Sequence, residues 1–497
     1  WNLPVSACAD LSLQQAINLA LQQNMSIKIT QKSEETAEAA LRQAKGAKGF
    51  AVTASGGYTA TKTDDEQMKN SLTGSVTAKL PLYTGGKTEN TIQSSEIGLK
   101  AASLTTERQR EDIRFSVIKA YYDALEARKT IDVDQEAVNK YQAHLTNVEQ
   151  LYSAGSKAHI DVLRSSVELS DARQTLIKDQ NAYEVDLAIL RDYLNIDRNE
   201  PLNLTDDVVY EPFDKDMNAC VDYAYQNRKD LLVDTYTMEQ KELAVKIAEA
   251  GMRPTVSLSV GSSLGNQFTS YNDKDETRSF TAGVSASWNI FDNGITRAQI
   301  DSAKTERDIA RLQLDKARDD VDLTVRQDYY NMREAEKRFN STQDAVKQAQ
   351  EDYYVSREKY RAGEGLLLDV IDTQQALSKA ELNYISAQYD YARYKAAVEN
   401  AMGVELTDEE KQAAGVLPTV KEATATQPTT DTAAQQATKA ATARAATTTT
   451  ATTTAPTTAS AATAQNVQPA PAQESPETVA IQTESVADEA AANGGDA

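Results

Sequence analysis

The chain is written twice. Val325, Tyr329 and Tyr330 return 208 residues earlier as Val117, Tyr121 and Tyr122. Tyr360-Arg-Ala-Gly363 returns as Tyr152-Ser-Ala-Gly155, and Asp369-Val370-Ile371 as Asp161-Val162-Leu163. Phe291 and Gly294 match Tyr83 and Gly86. The register holds without a gap across roughly 110 residues. A repeat of that length is a whole structural unit copied in tandem, so both halves are expected to build the same architecture side by side.

Within each copy, period-2 segments precede a very long period-3.6 segment. Phe50, Val52, Ala54 and Tyr58 alternate with Thr53, Ser55, Thr59 and Thr61. Leu72, Val76, Ala78, Leu80 and Leu82 alternate with Thr73, Ser75, Thr77 and Lys79. In the second copy, Val256, Leu258 and Val260 alternate with Ser257 and Ser259, and Phe280, Val284, Ala286, Trp288 and Ile290 with Thr281, Ser285, Ser287 and Asn289. One apolar and one hydroxyl-rich face is the pattern of a membrane barrel with a wet lumen. Tyr83, Trp288 and Phe291 gather at strand ends, where interfacial aromatics sit. Four strands cannot close a barrel, and an open edge is not tolerated in lipid, so several chains must pool their strands. A soluble two-hairpin sheet packed on its own helices is the competing reading. The polar stretches Lys62 to Asn70 and Asn266 to Arg278 read as exposed hairpin turns.

From Gly86 to about Leu151, and from Gly294 to about Lys359, there is no proline and almost no glycine. A continuous helix of that size is roughly 100 Å long. Its apolar seam runs Ala310, Leu314, Ala317, Val321, Val325, Met332, Ala335, Phe339, Val346, Ala349, Tyr353, Tyr360, with Ile113, Val117, Ala120, Ala124, Ala127, Ile131, Val138, Tyr141, Leu145 and Tyr152 in register. This is coiled-coil spacing with a stutter near Val325. Each helix stops at a glycine turn, Ala154-Gly155-Ser156 or Ala362-Gly363-Glu364-Gly365. Return helices follow, about Lys157 to Leu194 and Leu366 to Met402, and shorter helices, Leu13 to Lys45 and Met217 to Ala250, precede each strand pair. The fold class is thus α+β with an internal duplication. The first repeat covers 1–202, with a hairpin at about 50–83, a helical hairpin at about 86–196 and a tip at 153–157. The second covers 203–406, with the corresponding parts at about 254–291, 294–402 and 361–365.

Composition narrows the function. With 52 Lys and Arg against 74 Asp and Glu, the net charge is −22 and no basic patch stands out, so nucleic acid is not an expected partner. No run of 18 apolar residues marks a transmembrane helix. The start at Trp1 without Met is read as a processed form lacking its export signal. Cys8 and Cys220 occupy unmatched repeat positions. A disulfide between them stays open in an oxidising compartment, and Val5-Ser6-Ala7-Cys8 has too little apolar sequence before it for a convincing lipidation site. His144 and His159 have no metal-ligand company and are expected to be solvated. No catalytic set, phosphate loop, cofactor motif or metal cluster appears, so no enzyme is expected.

The chain resembles the outer-membrane efflux proteins of the TolC family. The resemblance runs from Leu11 to about Leu406 and rests on the duplication, Tyr360-x-x-Gly363 with Asp369-Val-Ile-Asp372, Tyr152-x-x-Gly155 with Asp161-Val-Leu163, and Leu80-Pro-Leu-Tyr-x-Gly-Gly86. It implies a homotrimer with a twelve-strand barrel in the outer membrane of a diderm bacterium. A coiled-coil barrel continues from it across the periplasm. It also implies a periplasmic adaptor, an inner-membrane efflux or ABC transporter reached through it, and passive export of small molecules or proteins. By the same resemblance, Asp369 and Asp372 form an acidic ring at the periplasmic entrance, while a Tyr360–Asp161 hydrogen bond helps latch it. Gly155, Gly363, Ala154 and Ala362 lie at the adaptor-facing tips. Gly365 departs from the pattern, since relatives carry an Arg there that strengthens the latch. From the residues alone, Asp369 and Asp372 equally fit acids complementing a helix N-terminus, and Tyr360 equally fits seam packing.

From about Thr407 the chain turns to Ala, Thr, Gln and Pro, ending in an acidic stretch, Glu474 to Asp496, and is expected to be disordered over 407–497. Two rivals to a duct stay in view: a trimeric coiled-coil spacer anchoring the outer membrane without an open lumen, and a soluble filamentous scaffold. A hydroxyl-lined strand face is what a plugged anchor does not need.

Overall fold

The computed structural model describes residues 9–62, 68–270 and 273–415. The chain divides at 421/422, and the second unit, 422–497, lies outside the described residues, as do Cys8 and the expected disordered tail beyond 415. One element order occurs twice. In the first half, α1 (Leu13–Gln23) and α2 (Met25–Gly46) lead to β2 (Ala51–Thr61), β3 (Lys69–Tyr83), the long α3 (Lys87–Ser153) and the returning α4 (His159–Leu194). In the second half, α5 (Met217–Asn227) and α6 (Lys229–Glu249) lead to β5 (Thr255–Ser270), β6 (Asp273–Ser287), α7 (Ile295–Ala362) and α8 (Leu367–Met402). Two short strands, β1 (Ala9–Leu11) and β4 (Leu202–Leu204), pair in parallel, and α9 (Asp408–Ala413) closes the described chain.

α3 and α7 contain 67 and 68 residues, about 100 Å each. Both start where a strand turns sharply into a helix through a left-handed glycine, Gly86 at φ 91° and Gly294 at φ 87°. Gly85 must also be bare, because a Cβ there would sit 2.9 Å from the Ala250 carbonyl oxygen. Both helices end in glycine turns. Ser156 N–H donates to Leu151 O at 2.8 Å, and Glu364 N–H to Lys359 O at 3.0 Å, which satisfies carbonyls the helix leaves open.

The sheet runs β2-β3-β5-β6, antiparallel throughout. Its register keeps even-numbered residues with even, so Val52, Ala78, Val260 and Ala282 form one row, and Ser55, Ser75, Ser263 and Ser279 another. One face is therefore apolar and the other lined with hydroxyls across all four strands. On the hydroxyl face Ser55 and Ser75 Oγ atoms meet at 2.8 Å, and those of Ser263 and Ser279 at 2.7 Å. The apolar face is uncovered, with Val52, Val76, Phe280 and Val284 all more than half exposed.

Four expectations are corrected. The short helices break in two, at Asn24 and Arg228. Asn24 caps α2 by accepting from Ser26 N–H at 2.8 Å while its amide donates to Tyr193 O at 2.9 Å, and Arg228 donates to Ala401 O at 2.9 Å. The break serves tertiary contacts that local propensity does not reveal. Asn266 to Arg278, read as a turn, is mostly strand, with Asn266 opposite Glu276 and Gln267 opposite Asp275. The backbone ladder continues past the apolar band. Lys69 and Asn70 are likewise in β3. Finally, the residues just after Leu406 are ordered: Thr407 caps α9, and Glu410, 2% exposed, lies 3.4 Å from Arg114.

The core lies where the helices of one half gather. Val117, Tyr121, Ala124 and Leu125 of α3 bury against α1 and the end of α4, and Val325, Met332 and Ala335 of α7 against α5 and the end of α8. Cys220 is a buried free thiol in the second cluster. The halves are joined by ion pairs that are buried or half-buried. Lys229 Nζ lies 2.8 Å from Glu111 and 3.0 Å from Glu107, and Arg393 Nη1 2.7 Å from Asp123.

Candidate entrance and lumen-lining residues

The helix tips form one cluster and one exposed corner. At the end of α7, Tyr360 is 2% exposed and packs with Leu367, Val370 and Ile371 of α8 and with Val148 of α3. Helix α3 belongs to the other hairpin, so Tyr360 sits between the two. Its repeat mate, Tyr152, is 45% exposed, and its ring lies 5.4 Å from that of His159. The matched seam positions thus have unequal surroundings.

Around Tyr360 the polar groups are under-served. Its hydroxyl is buried without a hydrogen-bond partner, and no bond to Asp161 forms within the chain. Asp161 is nonetheless close enough to add to the effect of burial in pushing the phenol above its usual ionisation range. Lys157 Nζ stands 4.2 Å from the ring centroid, a cation–π contact. The His144 ring centroid lies 5.4 Å from that of Tyr360, and its Nε2 is also buried without a partner. His144, expected to be solvated, is instead part of the tip, and burial lowers its pKa. Sequence reading missed it because 216 residues separate it from Tyr360.

Asp369 and Asp372 are both exposed on the first turns of α8. Asp369 accepts from Leu366 N–H at 3.3 Å, so it caps the helix while its other oxygen faces solvent. Gly155 and Gly363 hold left-handed conformations at the tips beside Ala154 and Ala362, all exposed. Gly365 packs its backbone tightly against Tyr360 in the turn between α7 and α8. A Cβ there would come 2.9 Å from Tyr360 N, so this turn has no room for an Arg.

Higher on the α3–α4 hairpin, Asp134 is 6% exposed and faces Asp179. Burial first, then Asp179, pushes the Asp134 carboxyl up to about 7. No sequence spacing flagged it, because the facing residue lies on the returning helix.

At the other end, Trp288 Nε1 donates to Met252 O at 3.0 Å just past β6, and Phe291 is 83% exposed. Tyr83 reaches the apolar face through a bulge. Register shifts between Pro81 and Tyr83, which places Tyr83 opposite Val256 instead of on the hydroxyl side.

Two helical hairpins, each built on a helix of ~100 Å and joined through a glycine corner to an open amphipathic sheet, give the chain the architecture of an outer membrane channel protein. The sequence profile described as outer membrane efflux protein matches residues 16–195 and 220–404, and the chain belongs to that family. Among curated relatives it is 20% identical over 323 residues to outer membrane efflux protein BepC of Brucella suis, covering 65% of this chain and 70% of BepC. It is 22% identical to outer membrane protein TolC of Escherichia coli, covering 63% and 65%, and 24% identical to protein CyaE of Bordetella pertussis, covering 79% and 82%. In fold it is similar to the CmeC outer membrane channel of Campylobacter jejuni (TM-score 0.71, 18% identity, 84% of this chain and 95% of that one). It is also similar to the outer membrane protein VceC of Vibrio cholerae (TM-score 0.68, 17% identity, 79% and 96%). Members of this family are channels, not enzymes.

Proposed function

We propose that three copies assemble into an outer-membrane exit duct of a tripartite efflux pump or type I secretion system. The open sheet carries this reading. Among the described residues β2 and β6 each pair on one side only, while a continuous apolar face and a continuous hydroxyl face cross all four strands. Pooling three sheets pairs β6 with the next chain's β2 in the same antiparallel sense, giving twelve strands with no edge and a wet lumen. A plugged anchor gains nothing from a hydroxyl-lined interior.

The helical tips support the same assembly. Tyr360 buries against the other hairpin of its own chain, whereas Tyr152 has no such neighbour. Along α4, Ile160, Leu163, Val167, Ile177, Val185 and Ile189 are 45–66% exposed. A second chain supplies the missing partner for both. In this assembly the strands cross the outer membrane, with Tyr83, Trp288 and Phe291 at its interface. The helices stand in the periplasm, and the tips around Ala154, Gly155, Ala362 and Gly363 meet an adaptor linked to an inner-membrane transporter. Asp369 and Asp372 give six carboxylates at the entrance, which favour cations. Tyr360 and Asp161 latch it.

The test is single-channel conductance in planar bilayers, with D369N/D372N beside the unaltered chain. Cation-selective currents whose block by multivalent cations disappears in the variant support both channel and entrance. Well-inserted trimers that pass no current, even with Tyr360→Phe, move the reading to the anchoring spacer.

A further inference from the structure

The hydroxyl face carries one anomaly. Across 51–59, 71–79, 255–267 and 277–287, its side chains are Ser, Thr, Gly, Ala and Gln except for Lys79. Lys79 lies in the row Ala51–Lys79–Ser259–Gly283, between neighbours that are all small. The next row is Thr53–Thr77–Gly261–Thr281. Nothing fills the space above Gly283. Lys79 is exposed, and among the described residues no carboxylate pairs with it. The side chain cannot withdraw toward an acid on its own face within this block, because there is none among the described residues.

Resting on the duct reading above, we propose that Lys79 is a specificity-determining residue. One ammonium per chain makes a three-fold cationic collar in the strand-lined lumen. The collar attracts solutes bearing carboxylate or phosphate groups, as lysine rings do in anion-conducting pores. The collar lies four residues, about 13 Å, inside the strand end at Tyr83. The duct then carries two filters of opposite sign, acidic at the helical tips and basic in the sheet. A charge facing an aqueous lumen acts over the Debye length, about 30 Å at 0.01 M salt and about 3 Å at 1 M. The collar therefore acts across the lumen at low salt and vanishes at high salt.

The experiment measures reversal potentials in KCl gradients in planar bilayers. It uses the D369N/D372N background, so that the entrance acids do not mask the lumen, and compares Lys79 with K79Q, K79E and K79R. At low ionic strength K79Q is expected to lower the chloride-to-potassium permeability ratio about threefold, K79E to lower it further, and K79R to keep it, with all four alike at 1 M. Tripolyphosphate added from the strand-loop side is expected to block the Lys79 and K79R channels and not K79Q. Conducting channels with the same ratio and block in K79Q as in the parent overturn the collar and leave the duct standing. Loss of selectivity in K79R as well would show a packing role and also overturn it. Inserted protein that never conducts refutes the duct, and the collar with it.

Discussion

Tyr360→Phe removes one oxygen from each chain and leaves the ring packing in place. In the isolated chain that oxygen is buried without a partner, beside Lys157 and near Asp161. If the assembled tip gives the hydroxyl a carboxylate acceptor, the bond contributes about 1.5–3 kcal/mol per chain, the range for hydrogen bonds to charged groups. Losing even about 2 kcal/mol shifts the closed-to-open ratio roughly 30-fold. If the hydroxyl instead stays orphaned, its removal relieves a desolvation cost of about 1–3 kcal/mol and tightens the tip. The two states predict opposite signs. The latch reading expects shorter closed dwells in planar bilayers for Tyr360→Phe and for Asp161→Asn, with the double variant no more open than either single one. Closed dwells that are unchanged or longer in Tyr360→Phe refute the latch.

Four further perturbations have signs fixed by the structure. His144 is held below its ordinary pKa of 6.5 by burial, so the packed tip keeps the neutral ring and the separated tip takes up the proton. Tip packing is therefore whole above about pH 6.5 and weakens as pH falls below it, and open probability should rise on acidification in the unaltered chain but not in His144→Gln. Asp134 has the reverse sign: its raised carboxyl stabilises the α3–α4 hairpin in acid, a contribution lost as pH rises through about 7, so hydrogen exchange there should quicken with pH beyond its intrinsic rate, and Asp134→Asn should abolish the excess. Tyr121 donates to Leu11 O at 2.8 Å in a dry core, whereas its repeat mate Tyr329 reaches Lys215 O at 3.4 Å in the open; Tyr121→Phe should cost about 1 kcal/mol and speed exchange of the Thr205 and Asp206 amides about fivefold, with a smaller effect of Tyr329→Phe on the segment it contacts. Truncation after Gly415 should leave trimer yield unchanged, while truncation after Leu406 strips Glu410 from Arg114 and should lower it.

What the sequence made legible is what depends on period and on backbone freedom. Alternation placed Val52, Ala78, Val260 and Val284 on the apolar faces of their own strands before any register was known, and Gly155 and Gly363 marked the tips because only a left-handed residue ends a helix in that way. What stayed hidden depends on partners far along the chain. Asn24 and Arg228 lie in stretches that local propensity reads as continuous helix, and the breaks come from Tyr193 O and Ala401 O. His144 reads as a surface residue until α7 brings Tyr360 beside it. One miss had a signal: Pro81 inside a strand marks a bulge, and the bulge is what turns Tyr83 to the apolar face.

The unequal fate of matched residues bears on how a ring of such chains opens. Tyr360 makes its contact with a hairpin of the same chain, so separating that pair works against a covalent tether through β4, α5 and α6. In the proposed trimer Tyr152 makes the equivalent contact with another chain, across a boundary held by side chains alone. In a three-fold assembly the six tip contacts therefore alternate between tethered and free. A partner pulling on the tips should part the free boundaries first, where the tilted His159 and Tyr152 rings meet at an exposed corner. Because the tethered contact holds the buried His144–Tyr360 pair, its sensitivity to protons and the response of the free contact to a partner belong to different boundaries. Variants at His144 should accordingly shift the pH response and leave partner-driven opening intact, while Tyr152 variants should do the reverse.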